Sequence, residues 1–382
     1  MDDIKQKLGR HHRRRRHFYR RRQCRSRSIV ERKKMKRQLL DCVAAVSNSP
    51  CLSSSYHFYP TIITLTMAAD IPYSLLDGKY KFPHIGLGTF KGHSGDSEVY
   101  EATKVALDNG YRHIDTAHVY QTEKAVGKAI RDHPTVTRDE VFVVSKLWQT
   151  FHQPEHVQPA INLTLQNLGF ESLDLYLMHW PMAWEFKGYE FEDMRRCDAQ
   201  GHIECVDVPV IDTWRAMEKL VENGSTKLIG VSNFTIPMLE QLLAECKIKP
   251  VVNEIEVHPS FPQTELVEYC QQKGIVVSAY SPLGNPGYRG NNIPVIDEPK
   301  IIEIAKKYNL SPQQLFLSYG VSRGYAVIPK SVTPSRIKDN IHYVKIADED
   351  IKEITEIGLR HKIRTCDPVE MFGPANDIFG EH

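Results

Sequence analysis

Three apolar runs each finish on an ionisable residue. Arg112-His-Ile-Asp115 ends in a carboxylate, Val141-Phe-Val-Val-Ser-Lys146 in an amine, and Leu173-Asp-Leu-Tyr-Leu-Met-His179 in an imidazole. A phenol, Tyr120, follows the first of these five residues later. Each has an ordinary structural role when taken alone. Asp115 could pair with Arg112, Lys146 could mark a strand's exit into solvent, His179 could be a core histidine, and Tyr120 an aromatic beside a helix cap. All four at one mouth would make an acid. A phenol's reference pKa of about 10 is too high for ready proton donation at neutrality. A neighbouring ammonium lowers it, and a carboxylate behind that ammonium keeps the amine charged and oriented. Tyr120 would then protonate a developing alkoxide, and a neutral His179 would orient the carbonyl oxygen and stabilise its charge. No side chain supplies the electrons, so a hydride reaction here needs a borrowed cofactor.

Residues so far apart in the chain meet only if the elements carrying them converge. From Tyr73 onward strand-like runs alternate with helix-like stretches. The hairpin Tyr73–Leu76 and Tyr80–Phe82 turns on Asp77-Gly78. The strands expected next are Ile85–Leu87, Arg112–Asp115, Val141–Lys146, Leu173–His179, Lys227–Val231, Val251–Ile255, Ile275–Ala279 and Ala326–Ile328. The intervening helices are expected over Ser97–Asp108, Lys124–Arg131, Val157–Leu168, Ile211–Glu222, Pro237–Ala244, Gln263–Lys273, Lys300–Tyr308 and Pro312–Tyr319. Asn109-Gly110, Asn223-Gly224 and Lys273-Gly274 supply helix stops.

Strands that are nearly all apolar are buried on both faces, as parallel strands are. Eight strand–helix repeats in about 270 residues suit a closed (β/α)8 barrel, whose strand ends converge on one mouth. The alternative is a doubly wound open sheet. Its fingerprint fails, because Gly86-Leu-Gly88 lacks a third glycine where Lys91 stands. Two stretches, Pro181 to Pro209 and His361 to His382, exceed ordinary connections and read as functional lids or disordered segments.

Of 382 residues 41% are hydrophobic and 25% charged, ample for a globular core. No apolar run reaches the roughly 18 residues of a spanning helix, so no membrane partner is expected. Eight scattered cysteines form no CxxC pair, which argues against a metal site or disulfide framework and for a reducing, cytoplasmic setting. The charge is uneven. Residues 1–37 carry 17 Lys+Arg against 3 Asp+Glu, leaving 32 against 44 in the remainder. Residues 1–66 therefore read as a basic, disordered extension and 67–382 as the barrel. The head could bind nucleic acid or target the chain. The preferred reading is an upstream extension of the gene model with Met67 as the working start, so nucleic acid is not an expected partner.

Three motifs carry a family resemblance. They are Gly110-Tyr-Arg-His-Ile-Asp-Thr-Ala with Glu123 and Val126-Gly127, Met217 followed by Lys227-Leu-Ile-Gly-Val-Ser-Asn-Phe234, and Ile328-Pro-Lys-Ser331 with Arg336 and Asn340. Over about residues 70–382 the chain resembles the aldo-keto reductase superfamily. The resemblance implies a monomeric barrel that reduces small aldehydes or ketones to alcohols with NADPH/NADP+, and a catalytic tetrad of Asp115, Tyr120, Lys146 and His179. It assigns Thr89, Ser232, Asn233, Glu254, Tyr280, Ser281, Leu283, Lys330, Ser331, Arg336 and Asn340 to the cofactor. Among these, Ser232 and Asn233 would hold the carboxamide, and Tyr280 would stack on the nicotinamide. Lys330, Ser331 and Arg336 would take the 2′-phosphate, which suits a phosphomonoester chemically. Phe90, Trp148, His179 and Trp180 would line the substrate pocket. The tail is similar to those of glycerol- or sugar-aldehyde reductases of the family.

Some positions depart from the family pattern. Glu254 stands where Gln usually binds the carboxamide, and a carboxylate cannot donate unless protonated. Phe90 replaces a common Trp, and Asp339 replaces Glu near the adenine. Gly287 sits where an acidic residue often straps the cofactor, implying faster NADP+ release. Two rival functions follow from the same residues: an NADPH-sensing subunit with little turnover, or a barrel tethered to nucleic acid by its head.

Overall fold

The computed structural model describes residues 71–90, 92, 94–195, 197, 200–203, 205–286 and 294–381. The expectations for residues 1–66 and for Gly287 lie outside these.

The chain begins with the expected hairpin, β1 (Tyr73–Leu76) paired antiparallel to β2 (Tyr80–Pro83). Eight parallel strands follow: β3 (Leu87–Gly88), β4 (His113–Asp115), β5 (Phe142–Leu147), β6 (Leu173–Met178), β9 (Thr226–Ser232), β10 (Val252–Glu256), β11 (Val276–Tyr280) and β12 (Ala326–Val327). They pair in chain order, and bridges Ile85↔Val327 and Gly88↔Lys330 join the two edges. The Gly86 N–H donates to the Val327 carbonyl at 2.9 Å and the Val327 N–H to that of His84 at 2.7 Å, closing the barrel. A short ribbon of β7 (Ala183–Trp184) and β8 (Cys205–Val206) lies within the first long connection.

Helices alternate with the strands: α1 (Asp96–Asp108), α2 (Glu123–Asp132), α3 (Pro154–Leu168), α4 (Val210–Glu222), α5 (Ile236–Glu245), α6 (Thr264–Gln272), α7 (Pro299–Lys307) and α8 (Pro312–Ser322). Their ends follow local chemistry. Proline in the first turn opens α3, where a missing N–H costs no helical bond, and Gly169 in the left-handed region (φ 68°) closes it. Ser311 caps α8, accepting from the Gln314 N–H.

Helices α9 (Pro334–Asn340), α10 (Asp348–Leu359) and α11 (Pro368–Phe372) were not expected from the sequence. The strand starts also differ slightly. Ile85 makes a single bridge, and the first barrel strand proper lies at Leu87–Gly88.

Side-chain alternation along each strand separates two layers. Val143, Tyr176, Met178, Ile229, Val231 and Ile255 face the helices in the large outer core. Val144, Leu175, Leu177, Leu228 and Val252 fill the barrel interior, and Leu76 and Phe82 of the hairpin pack with them. The hairpin thus plugs the N-terminal end with apolar surface. The C-terminal end remains for chemistry.

Candidate active site

The interior-facing positions of each strand change character toward the C-terminal mouth. In β5 they run Phe142, Val144, Lys146; in β6 Leu175, Leu177, then His179 just beyond; in β10 Val252, Glu254, Glu256. Asp115 is the last residue of β4, and Tyr120 sits on a 3-10 turn (His118–Tyr120) that follows it. Gly230 leaves the room this mouth needs. A Cβ there would lie 2.7 Å from both Leu177 Cδ2 and the Val252 carbonyl.

These residues converge. Lys146 Nζ donates to Asp115 Oδ1 and Oδ2 at 2.6 and 2.7 Å and to the Thr116 carbonyl at 3.0 Å. Tyr120 Oη lies 3.5 Å from His179 Nε2, and the Lys146 ammonium stands 5.1 Å from the Tyr120 ring centre. Asp115, Lys146 and His179 are all buried. Asp115, Lys146 and His179, picked out by their strand-end positions, therefore share one mouth with Tyr120.

Glu254 was expected at the carboxamide. The structure places it in the charged cluster itself, 3.2 Å from Lys146 Nζ, with its side chain buried. Two carboxyls thus face one amine.

Burial would lower the Lys146 ammonium, but Asp115, Glu254 and Tyr120 together more than offset this, so it stays charged. The phenol departs from expectation. Burial raises Tyr120 first; Lys146 pulls it down as anticipated, and the Asp115 and Glu254 carboxylates push it up again, leaving it above the ordinary value. The ammonium acts in the expected sense and is outweighed by burial and the two carboxylates. Burial, with Lys146 and His152 nearby, holds His179 well below its usual value, hence neutral.

The other residues assigned by resemblance form two groups. Around the mouth, the Thr89 hydroxyl donates to the Asp115 carbonyl at 2.8 Å, and Ser232 to that of Glu254 at 2.8 Å. Asn233 Nδ2 donates to the His179 carbonyl at 2.9 Å, while its Oδ1 accepts from Tyr280 Oη at 2.7 Å. Asn233 and Ser281 hold left-handed backbone (φ 64° and 47°), which side chains other than glycine adopt rarely. Leu283 packs beside them, partly buried. Farther along, Lys330, Ser331, Arg336 and Asn340 follow β12 and run into α9. Lys330 and Ser331 line one small cavity with Thr89 and Gly88, and Lys330 Nζ donates to Ser94 Oγ at 3.1 Å. Arg336 is exposed and Asn340 buried. Exposed cations beside a serine hydroxyl are a fitting donor set for a phosphomonoester.

Aromatic residues wall the mouth. Trp148 stands 5.2 Å from the His179 ring and 5.3 Å from Trp184, and its Nε1 donates to the Met194 carbonyl at 2.9 Å. Phe372 of the tail lies edge-on to Trp180 at 5.8 Å. Phe90 packs edge-on to Tyr120 at 5.3 Å and is 49% exposed, so the wall is open on that side.

Two residues that sequence reasoning missed tie the C-terminal tail down. Asn376, fully buried, accepts from Trp184 Nε1 at 2.8 Å and donates to the carbonyls of Ile203 and Phe372, both at 3.1 Å. It staples the tail to the 181–209 connection. Glu256 receives Thr365 N and Oγ1, both at 2.7 Å, and Cys366 N at 2.9 Å, tying the tail to β10. Glu256 had a signal: a second carboxylate at an inward position of an apolar strand. Asn376 had none. Among the described residues no group of acidic, histidine or cysteine side chains is arranged to hold a metal, and no helix is long and apolar enough to cross a membrane.

Comparison with known proteins brings in independent findings. The sequence model of the Aldo/keto reductase family matches residues 84–358. A glycerol 2-dehydrogenase (NADP(+)) of Saccharomyces cerevisiae is 43% identical over 283 residues, covering 72% of this chain and 88% of that protein. Aldo-keto reductase family 1 member A1-A of Danio rerio is likewise 43% identical over 283 residues, covering 72% and 86%. Among solved structures, an aldose reductase from Schistosoma japonicum superposes with a TM-score of 0.74 at 38% identity, covering 81% of this chain and 99% of that one.

Proposed function

The chain belongs to the aldo/keto reductase family, and from that premise we propose that it reduces aldehydes or ketones to alcohols with NADPH, reversibly. The observation that carries this reading is the approach of Tyr120 Oη to His179 Nε2 at 3.5 Å, with the Lys146–Asp115 pair behind the phenol. A carbonyl oxygen set between these two side chains would meet two donors at once.

Bound NADPH supplies the hydride. Ser232, Asn233 and Tyr280 are the residues to hold its nicotinamide end, Ser281 and Leu283 its pyrophosphate, and Lys330, Ser331 and Arg336 its 2′-phosphate, with Thr89 and Asn340 alongside. Neutral His179 donates an N–H to the substrate oxygen and orients it. Tyr120 gives its proton to that oxygen as charge develops there, and Lys146 steadies the phenolate left behind. Asp115 fixes the ammonium in place through two hydrogen bonds. Buried Trp148 and Trp180 exclude water from their side of the pocket, and the aromatic lining favours small substrates. The relatives' names make small polyol-derived aldehydes such as glyceraldehyde the first class to test.

Loss of NADPH absorbance with glyceraldehyde and aromatic aldehydes tests this function. Turnover is expected, and Tyr120→Phe should lower kcat by about 10²–10⁴-fold, the usual weight of a general acid. Flat traces with tight cofactor binding retained would replace the enzyme by a sensing subunit. The cofactor assignment has its own check. A Lys330→Met, Arg336→Ala double variant should bind NADPH about tenfold or more weakly, since each charge-assisted hydrogen bond contributes roughly 1.5–3 kcal/mol. Unchanged affinity would remove those residues from the 2′-phosphate site.

A further inference from the structure

The Asp115–Lys146–Glu254 cluster contains more carboxyl groups than its amine can neutralise. Lys146 has three N–H donors. They serve Asp115 Oδ1 and Oδ2 at 2.6 and 2.7 Å and the Thr116 carbonyl at 3.0 Å, and Glu254 Oε1 stands 3.2 Å from the same nitrogen. Asp115 of β4 and Glu254 of β10 thus converge on one ammonium. Two carboxylates on one ammonium leave a net negative charge unless one of them carries a proton. Both are at least 97% buried, so water cannot offset the second charge.

We propose that Glu254 is a positioning residue of this site. It shares one proton with Asp115 across the Lys146 ammonium and so keeps the cluster behind Tyr120 neutral. When that proton leaves, the cluster becomes net negative and Tyr120 becomes a poorer acid. The inference rests on the reductase reading and adds to it a pH brake on the proton donor.

The charges around Glu254 agree with this. Lys146 touches it, and Asp115, Tyr120 and Tyr280 lie within electrostatic reach. His179 and His113 face Lys146 from β6 and β4 and are held neutral by burial, His113 at about 4. Glu256, next along the inward face of β10, is held ionised by His258 and Thr365 despite its burial, and adds negative charge. Burial first, then the Asp115 carboxylate, push the Glu254 carboxyl well above the ordinary carboxylate range, with Lys146 opposing. A carboxyl raised on folding contributes stability below its unfolded value of about 4.5, and that contribution fades as pH rises toward the folded value.

Wild type and Glu254→Gln, which cannot ionise, are compared as full chains across about pH 5–9. With no cofactor or substrate present, Glu254→Gln should gain melting temperature relative to wild type as pH rises, the two drawing together at the acid end. In turnover, kcat for reduction by wild type should fall on a basic limb that the variant lacks, with a separation of about tenfold at the alkaline end, where one extra charge acts on Tyr120. KM should move less than kcat. A purely structural role would shift both proteins' melting curves by a constant and leave the limb where it is. Infrared spectra of wild type carrying isotope-labelled glutamate should show a protonated glutamic acid near neutral pH that disappears on raising the pH. That readout needs neither the variant nor activity. Absence of the band, or superimposable pH profiles for the two proteins, would overturn the proposal. Lack of turnover by wild type at every pH would instead strike the reductase reading, with the infrared titration still deciding where the proton sits.

Discussion

The barrel carries two ion triads with opposite charge balance, one at each end. At the C-terminal mouth, one amine (Lys146) faces two carboxyls (Asp115 and Glu254), all with side chains at most 3% exposed. Near the start of β6, one carboxylate (Asp174) receives two cations, Arg138 Nη2 at 2.7 Å and Lys227 Nζ at 2.6 Å. Asp174 also accepts the Val143 N–H at 2.9 Å, and Arg138 lies over the Phe170 ring at 4.5 Å. Here Arg138 is 23% and Lys227 37% exposed. The excess charge of the outer triad is left to water. That of the inner triad has no water to meet it and must be relieved by a proton or by chemistry. Similar pairings thus sit in different settings: the outer one lies at a strand start, and the inner one lies within electrostatic reach of a phenol.

Breaking each triad at its lysine should expose the difference. Lys146→Met leaves two buried carboxyls without their cation and should cost about 3–5 kcal/mol of stability in denaturant unfolding. Reductase activity should be lost with it. A smaller deficit at acid pH is expected, since protonation relieves the stranded carboxyls. A folded, fully active Lys146→Met protein would contradict the whole account of the mouth.

Lys227→Met stands at the other end of the scale. Its half of the outer triad is partly solvated and Arg138 remains, so the loss should be at most about 1 kcal/mol, shrinking further in high salt. Activity should not change. A cost equal to that of Lys146→Met would erase the distinction between the two triads.

Much of this was legible in the chain. The eight barrel strands fall within two residues of the expected runs because parallel strands buried on both faces leave unbroken apolar stretches. Asp115, Lys146 and His179 stood out because each interrupts such a stretch at its end. The late helices α9 to α11 were missed, since they add to the strand–helix repeat that guided the reading. The pairing of Trp184 with Asn376 joins residues 192 positions apart, and a single asparagine in a tail of mixed composition announces nothing. Phe90 was legible as an aromatic wall, but not its half-open setting.

The amino-acid sequence alone determined the repeat, the hairpin and the three strand-end groups with Tyr120 just beyond one of them, because periodicity and turn residues act over a few neighbours in the chain. Only the tertiary structure decided that Glu254 belongs with Lys146, and that burial outweighs the ammonium at Tyr120. Both depend on which strands stand side by side and on how completely they exclude water. Coulomb energies in a dry barrel are set by distances across its interior, which no local pattern contains.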